Sequence, residues 1–345
     1  MPFINDQLEA NRRVIAEKET PKGLRQTRFT FDPDHLSRVL KKRIVGQDET
    51  LQRLDSLLQV VRADLGSKDR PLGVCLLMGP TGVGKTETVH ILSELIHGSR
   101  QALCRIDMNT LGQEHYASAL TGAPPGYVGS KEGHTLFDAD KIQGSYSKPG
   151  IVLFDELEKA SPEVIRSLLN VLDSGVLTLP SGNRTIHFHN TLIFMTSNLG
   201  AAELLQYQNR FRRGWRKLLK PRQASESRIL DEALNRRFDP EFVNRIDLIL
   251  QYQRLPASES AKLLDLELEK LHRRLRDHHV ELELTPAVRD FLCRDYDARY
   301  GARDLARLVR HELGPVVARA MLSNPAATEF VVDYTDLQLI ARPGA

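Results

Sequence analysis

Cysteine is scarce and scattered in this chain. The three residues, Cys75, Cys104 and Cys293, stand far apart and form no Cys-x-x-Cys pair, so no disulfide framework is written into the sequence. Cys75 and Cys104 fall in apolar, strand-like runs, where a thiol packs as a small hydrophobe, and a reducing, cytoplasmic location fits. No run of about 18 apolar residues occurs, which excludes an ordinary membrane-spanning helix. No signal-peptide core opens the chain. Charge of either sign is in little excess: 48 basic against 45 acidic residues leave a net +3. That balance does not by itself imply a membrane or nucleic-acid partner. Internal repeats and low-complexity tracts are also missing. What is present is the composition of a soluble globular protein, 41% hydrophobic and 27% charged, with apolar material for a sizeable core. The length of 345 residues suits two domains.

The chain is organised around Gly79-Pro80-Thr81-Gly82-Val83-Gly84-Lys85-Thr86. It follows the apolar run Leu72–Met78, which reads as a buried parallel strand, and precedes Glu87–His97, which reads as a helix. This is a glycine-rich phosphate loop in strand–loop–helix context. Glycines let the backbone turn tightly and approach phosphate, and successive N–H groups and the helix start then face the anion. Lys85 is placed to reach the β- and γ-phosphates, and the Thr86 hydroxyl to ligate Mg²⁺. A second apolar run, Ile151–Phe154, ends on Asp155-Glu156. In a parallel sheet the carboxyl ends of the strands form the binding crevice, and a carboxylate pair there is costly unless it serves a metal or a reaction. Asp155 fits a water-mediated contact to Mg²⁺, and Glu156 the base that polarises an attacking water. A third run, Thr191–Ser197, ends on Asn198, which the same crevice logic turns towards the γ-phosphate.

Around these strands the periodicity predicts helices from Asp32-Pro33 to about Lys42, over a face of Leu51, Leu54, Leu58, Val61 and Leu65, and from Ser161-Pro162 through Val164, Leu168, Leu169 and Leu172. Ile44-Val45 is either helix packing or a wall for the adenine base. Residues 102–107 read as a strand, and 176–188 as a hairpin around Pro180–Asn183. Gly122–Gly133 is dense in proline and glycine and reads as a shaped loop carrying Tyr127-Val128 at its tip. Residues 142–148 read as a small insertion and 199–235 as less regular. Within the latter, 210–222 holds seven basic residues in thirteen and the single Trp, a solvated loop or a docking segment. From Pro256 the pattern changes to a long amphipathic helix over 258–278, a strand over 280–284, a helix over 286–294, a last helix from Tyr300-Gly-Ala-Arg303 to about Leu322, and closing strands at 330–333 and 337–341. The expected fold is α/β, a parallel sheet flanked by helices, with a smaller α+β domain after it. The expected divisions are an extension or linker over 1–30, a large domain over 31–254 and a lid domain over 255–345.

Taken together, Val45-Gly46-Gln47, the phosphate loop, Gly122–Gly133, Phe154–Ala160, Met195–Gly200, Asn244–Asp247 and Tyr300–Arg303 resemble the second ATPase module of the Clp family of AAA+ unfoldases and disaggregases, in single-module form. The resemblance spans about 36–340. It implies an AAA+ phosphate-loop ATPase that hydrolyses ATP with Mg²⁺. It gives Asn198 the place of the first sensor, Arg245 that of an arginine finger acting on the next subunit's ATP, and Arg303 that of the second sensor. Tyr127, with Val128, resembles the pore loop that pulls extended polypeptide through a hexameric ring. The implied partners are unfolded or aggregated protein, further copies of the chain and an adaptor protein. Asp239 and Asp304 stand where the family has Arg and Pro, and Ser130 and His134 replace more usual pore-loop neighbours. No Ile-Gly-Phe or Ile-Gly-Leu tripeptide occurs over 199–240, which favours remodelling over a peptidase-coupled unfoldase. The competing reading is a nucleotide-switched binding module that docks a partner or nucleic acid through 210–222.

Overall fold

The computed structural model describes residues 27–111, 136–179, 184–210 and 223–344. By contacts the chain divides into two compact units. One holds the chain up to Lys41, Asp48–Gly79 and Lys85–Tyr252; the other holds Lys42–Gln47, Pro80–Gly84 and everything from Gln253 on. Two short segments from the first part of the chain therefore belong with the C-terminal unit, one of them the middle of the phosphate loop.

The first unit opens with helices α1 (Pro33–Arg43) and α2 (Asp48–Arg62), then strand β1 (Gly73–Met78), α3 (Lys85–His97) and β2 (Cys104–Asp107). It continues with α4 (Ala139–Gln143), β3 (Gly150–Asp155), α5 (Pro162–Ser174), the hairpin β4 (Val176–Leu179) and β5 (Arg184–His187), and β6 (Thr191–Ser197). Helices α6 (Ala201–Arg210), α7 (Gln223–Arg237) and α8 (Pro240–Val243) then lead into β7 (Leu248–Gln251). Five strands form a parallel sheet in the order β2-β3-β6-β1-β7. β1, β3 and β6 are buried at every position, as expected of parallel strands covered on both faces. The register sets Met78 beside Ser197 and Phe154 beside Met195. The carboxyl ends of β1, β3 and β6 thus finish level, and that edge carries the polar residues.

The caps follow the sequence. The Asp32 carboxylate accepts the Asp34 N–H at 3.0 Å, and the Ser161 hydroxyl accepts the Val164 N–H ahead of Pro162. Leu51, Leu54, Leu58 and Val61 are buried as the periodicity requires. Leu65 is not: α2 stops at Arg62, Asp64 takes a left-handed φ of 53°, and Leu65 is 74% exposed. Within 199–235, expected to be less regular, the described residues include α6 and most of α7. In α7, Leu230, Ala233 and Leu234 make a narrow buried stripe that the surrounding charges conceal. Residues 142–148 are held by side chains from β6's approach: Asn190 donates to the carbonyls of Gln143 and Ser145, and the Thr191 hydroxyl to that of Ile142 at 2.6 Å. Phe29 and Phe31 are buried, and the Thr30 N–H donates to the Ser147 carbonyl.

His97, at the end of α3, donates from Nε2 to the Pro149 carbonyl at 2.9 Å. Burial holds its proton affinity below the ordinary histidine value of 6.5. The unfolded chain therefore takes up the proton first, so this contribution to stability is present above pH 6.5 and is lost as pH falls through it. The melting temperature of wild type is expected to drop by a few degrees more than that of His97→Gln between about pH 7.5 and 5.5. Equal drops in a paired thermal melt would remove His97 from the balance.

In the second unit, α9 (Ser260–Arg276), β8 (Glu281–Leu284), α10 (Pro286–Arg294), α11 (Ala302–Leu308), α12 (Gly314–Ser323), β9 (Glu329–Thr335) and β10 (Gln338–Pro343) follow in order. β9 pairs antiparallel with β10 and parallel with β8. The core gathers Leu264, Val288, Leu292, Leu305, Leu313 and Val332. The single helix expected over 300–322 is interrupted by a π-helical turn at Val309–Leu313. Pro315, two residues on, lacks an N–H and crowds the preceding turn, which widens to accommodate it.

Candidate nucleotide-hydrolysis site

The polar edge of the parallel sheet carries two hydrogen-bonded groups, one around Lys85 and Asn198 and one around Asp155 and Glu156, which meet at the consecutive residues Lys85 and Thr86. Lys85 begins α3 and is only 7% exposed. Its ammonium donates to the Gly79 carbonyl at 2.5 Å and to Asn198 Oδ1 at 2.8 Å. The next residue, Thr86, donates its hydroxyl to Asp155 Oδ1 at 3.2 Å. Asp155 is nearly buried and takes two further bonds: the Thr196 hydroxyl donates to Oδ1 at 2.6 Å, and Arg105 to Oδ2 at 2.6 Å. That ionic bond is short because both partners are charged. Glu156 has a left-handed backbone, φ 58°, costly for a residue with a side chain. Its N–H is secured by Thr196 Oγ1 at 2.9 Å, and its Oε2 accepts from Asn109 Nδ2 at 2.5 Å. Asn198 is oriented from behind: its backbone N–H and its Nδ2 both donate to Glu158 Oε1. That leaves the amide oxygen facing Lys85. Arg237 fixes the chain under Glu158 by donating to the carbonyls of Glu158 and Ala160.

The loop itself is shaped by close backbone approach. Gly79 has φ 141°, and a Cβ there would lie 2.4 Å from the Tyr252 carbonyl oxygen. Within the second unit, Gly82 has φ 76°, and a Cβ there would lie 2.0 Å from the Tyr300 carbonyl oxygen. Only glycine meets either condition. Pro80 and Val83 are buried, Gly84 lies against Ile44 of the same unit, and Thr81 is exposed. Val45 packs on the core of that unit. Gln47 is clipped to Gln253 by two bonds of 2.8 and 2.9 Å, which anchors the turn carrying Ile44 and Val45. Arg303 sits in the first turn of α11.

The structure thus joins Lys85, Thr86, Asp155, Glu156 and Asn198 in one cluster. Arg245 is not part of it: its guanidinium pairs with Asp173 of α5 at 3.1 Å, and Arg70 donates to its carbonyl. Tyr127, Val128, most of the basic segment and the turn of the hairpin lie outside the described residues. Sequence reasoning missed Arg105, Asn109, Glu158 and Thr196. Arg105 was open to discovery, since alternation along Cys104–Asp107 turns it away from the buried face. The others act across forty or more positions of chain and leave no local signal.

Residues of this kind fit a magnesium nucleotide. Hydroxyl and carboxylate oxygens side by side, Thr86 on Asp155, are the hard donors Mg²⁺ takes when phosphate and water supply the rest. Among the described residues no group of three or more His, Cys, Asp or Glu is placed to hold a metal. No described helix is long and apolar enough to cross a membrane.

A phosphate loop at the end of β1, with a carboxylate pair at the end of β3, defines a phosphate-loop nucleotide hydrolase. Residues 70–249 match the family described as AAA domain (Cdc48 subfamily), and 255–332 match the C-terminal, D2-small domain of ClpB protein. The chain belongs to the AAA family, with a ClpB-type small domain, and is an ATPase that binds ATP. It is 46% identical over 347 residues to an ATP-dependent protease ATP-binding subunit-like protein, AmiB, of Pseudomonas aeruginosa, a match covering 94% of this chain and 93% of that one. It is 38% identical over 292 residues to chaperone protein ClpB 1 of Thermosynechococcus vestitus, covering 84% of this chain and 32% of that protein. It thus spans about a third of the ClpB relative. Among solved structures it resembles Hsp104, reconstructed in a closed state with ATPγS and FITC casein, with a TM-score of 0.76 and 29% identity over 90% of this chain and 51% of that one.

Proposed function

We propose that this ATPase is a protein unfoldase or remodelling chaperone that works as a homo-hexameric ring and threads unfolded or aggregated polypeptide past Tyr127 and Val128. The observation that carries the reading is the gathering of Lys85, Thr86, Asp155, Glu156 and Asn198 at the strand ends, in a chain that also holds a ClpB-type small domain. In it Lys85 binds the β- and γ-phosphates. Gly79, Pro80, Thr81, Gly82, Val83 and Gly84 give backbone to the phosphates, with Thr86 and Asp155 holding Mg²⁺. Mg²⁺, when bound, neutralises charge on the phosphate oxygens. Glu156 takes up the proton of the attacking water, and Asn198, held by Glu158, keeps Lys85 in place beside the reacting phosphate. Ile44 and Val45 wall the base, Arg303 reports on the nucleotide, and Arg245 completes a neighbour's site. The large domain over 31–254 carries the chemistry and the lid over 255–345 the response to it.

The test is the ATPase rate with and without unfolded casein, on wild type and Tyr127→Ala together. Several-fold stimulation that is lost in the variant is the expected result. A rate indifferent to both casein and Tyr127 would sink threading and favour a nucleotide-switched binding module. The relative AmiB, named as like an ATP-binding subunit of an ATP-dependent protease, supports a second reading, an unfoldase coupled to a peptidase. Casein recovered intact after turnover, in the presence of a barrel peptidase, speaks for remodelling, and casein cut to peptides for coupling.

A further inference from the structure

Asp304 is a carboxylate only 1% exposed to which none of the roles above assigns a task. It lies in the first turn of α11, directly after Arg303. Its Oδ2 accepts the Asp297 backbone N–H at 2.7 Å, and its Oδ1 accepts a guanidinium N–H of Arg307 at 2.9 Å. A carboxylate so buried is costly unless its oxygens are bonded. Here one bond runs forward to the next turn and the other back to the loop before the helix. That loop is itself cross-linked: the Tyr300 N–H donates to the Asp297 carbonyl and the Asp304 N–H to the Gly301 carbonyl, each at 3.0 Å. Arg299 pairs with the Asp297 carboxylate at 2.6 Å.

The loop ends against the phosphate loop. Within the same compact unit, the Ala302 N–H donates to the Gly82 carbonyl at 2.9 Å. A Cβ on Gly301 would stand 2.5 Å from that same oxygen. Backbone lies on backbone with no side chain between, so a displacement of the loop is transmitted to Gly82 without slack.

We infer that Asp304 is a positioning residue for nucleotide binding: it clamps the Asp297–Ala302 loop so that this loop holds Gly82, and it fixes the helical turn that carries Arg303. The inference rests on reading Gly79–Thr86 as the nucleotide-binding loop. Asp304 touches no nucleotide; it acts through Gly82 and Arg303.

The experiment measures binding of a fluorescent ATP analogue and steady-state ATPase kinetics for wild type, Asp304→Ala, Asp304→Asn, Arg303→Ala and the double variant D304A/R303A. Asp304→Ala is expected to raise Kd and KM about tenfold with kcat at saturating ATP within about twofold. Asp304→Asn keeps an acceptor for the Asp297 N–H and is expected to recover most of the affinity. The double variant is expected to bind little more weakly than Arg303→Ala, because the two changes remove one arrangement. An unchanged KM alongside a lowered melting temperature would make Asp304 merely structural, and additive effects would separate it from Arg303; either overturns the inference. Should Asp304→Ala fail to fold, hydrogen exchange on the unaltered protein decides: nucleotide must slow exchange at the Asp297 and Ala302 amides severalfold, and unchanged exchange refutes the clamp. A wild type that binds no nucleotide would instead bring down the reading of the loop itself.

Discussion

Replacing Glu156 by Gln is expected to cut kcat for ATP hydrolysis by a hundredfold or more while leaving nucleotide affinity within a few-fold, because a positioned general base is worth about 10²–10⁴ in rate. The geometry separates the two effects. Glu156 bonds to Asn109 and, through its backbone, to Thr196; Lys85 and Thr86 have their own partners in Asn198 and Asp155. An amide of the same size leaves those bonds intact and preserves the fold, but it cannot take up a proton. The left-handed backbone at Glu156 supports the assignment, since strain of that kind persists only where the surroundings hold it. Here Thr196 does so, with one hydroxyl accepting from Glu156 and donating to Asp155. Steady-state kinetics together with equilibrium binding of an ATP analogue check the prediction. A fall in affinity equal to the fall in kcat/KM would mean that Glu156 shapes the pocket, and an unchanged kcat would move the base elsewhere.

The parts legible in the sequence were those whose signal is local. Leu72–Met78, Ile151–Phe154 and Leu192–Met195 are apolar runs followed by polar residues or the glycine-rich loop, and in a parallel sheet that change of character marks the crevice. Asp155, Glu156 and Asn198 are therefore legible by position and Lys85 and Thr86 by the glycine-rich loop, and the structure pairs Lys85 with Asn198 and Thr86 with Asp155. What escaped was set by distance along the chain. Glu158 matters because it meets Asn198, forty positions on, and Arg105 because it meets Asp155, fifty positions on. No spacing rule connects such pairs. The helix α7 was hidden for another reason: three buried residues suffice to seat it, and its exposed charges outweigh them in any count. The π-turn at Val309–Leu313 follows from Pro315 meeting a helix that its neighbours keep in place, a contest between local chemistry and packing that only the folded chain decides.

Arg245→Ala is expected to lower ATP turnover by about a thousandfold, and an equal mixture of Arg245→Ala with Lys85→Ala chains is expected to regain activity that neither has alone. Arg245 stands apart from the cluster that holds Lys85, and its partner is Asp173 at 3.1 Å. Both side chains of that pair are substantially exposed, 41% and 55%. An ion pair so open to water contributes little, so the guanidinium is released at small cost. Its Nε is buried with no hydrogen-bond partner among the described residues, and its carbonyl is gripped by Arg70, which also pairs with Asp247. Asp247 in turn accepts the Val74 N–H at the start of β1. The backbone under Arg245 is thus tied to the central strand while its ion pair is open to water, which suits the proposed action of Arg245 on a neighbour's site. In a mixed assembly an Arg245→Ala chain keeps an intact pocket and a Lys85→Ala chain supplies the missing charge. Random mixing gives that pairing at about a quarter of the contacts, so activity near a quarter of wild type per pocket is the expected ceiling. Turnover measured across mixing ratios, with the assembly state followed by light scattering, checks it. A mixture as inactive as its components would place the action of Arg245 within its own chain, and with it the case for a site completed by a neighbour would fail.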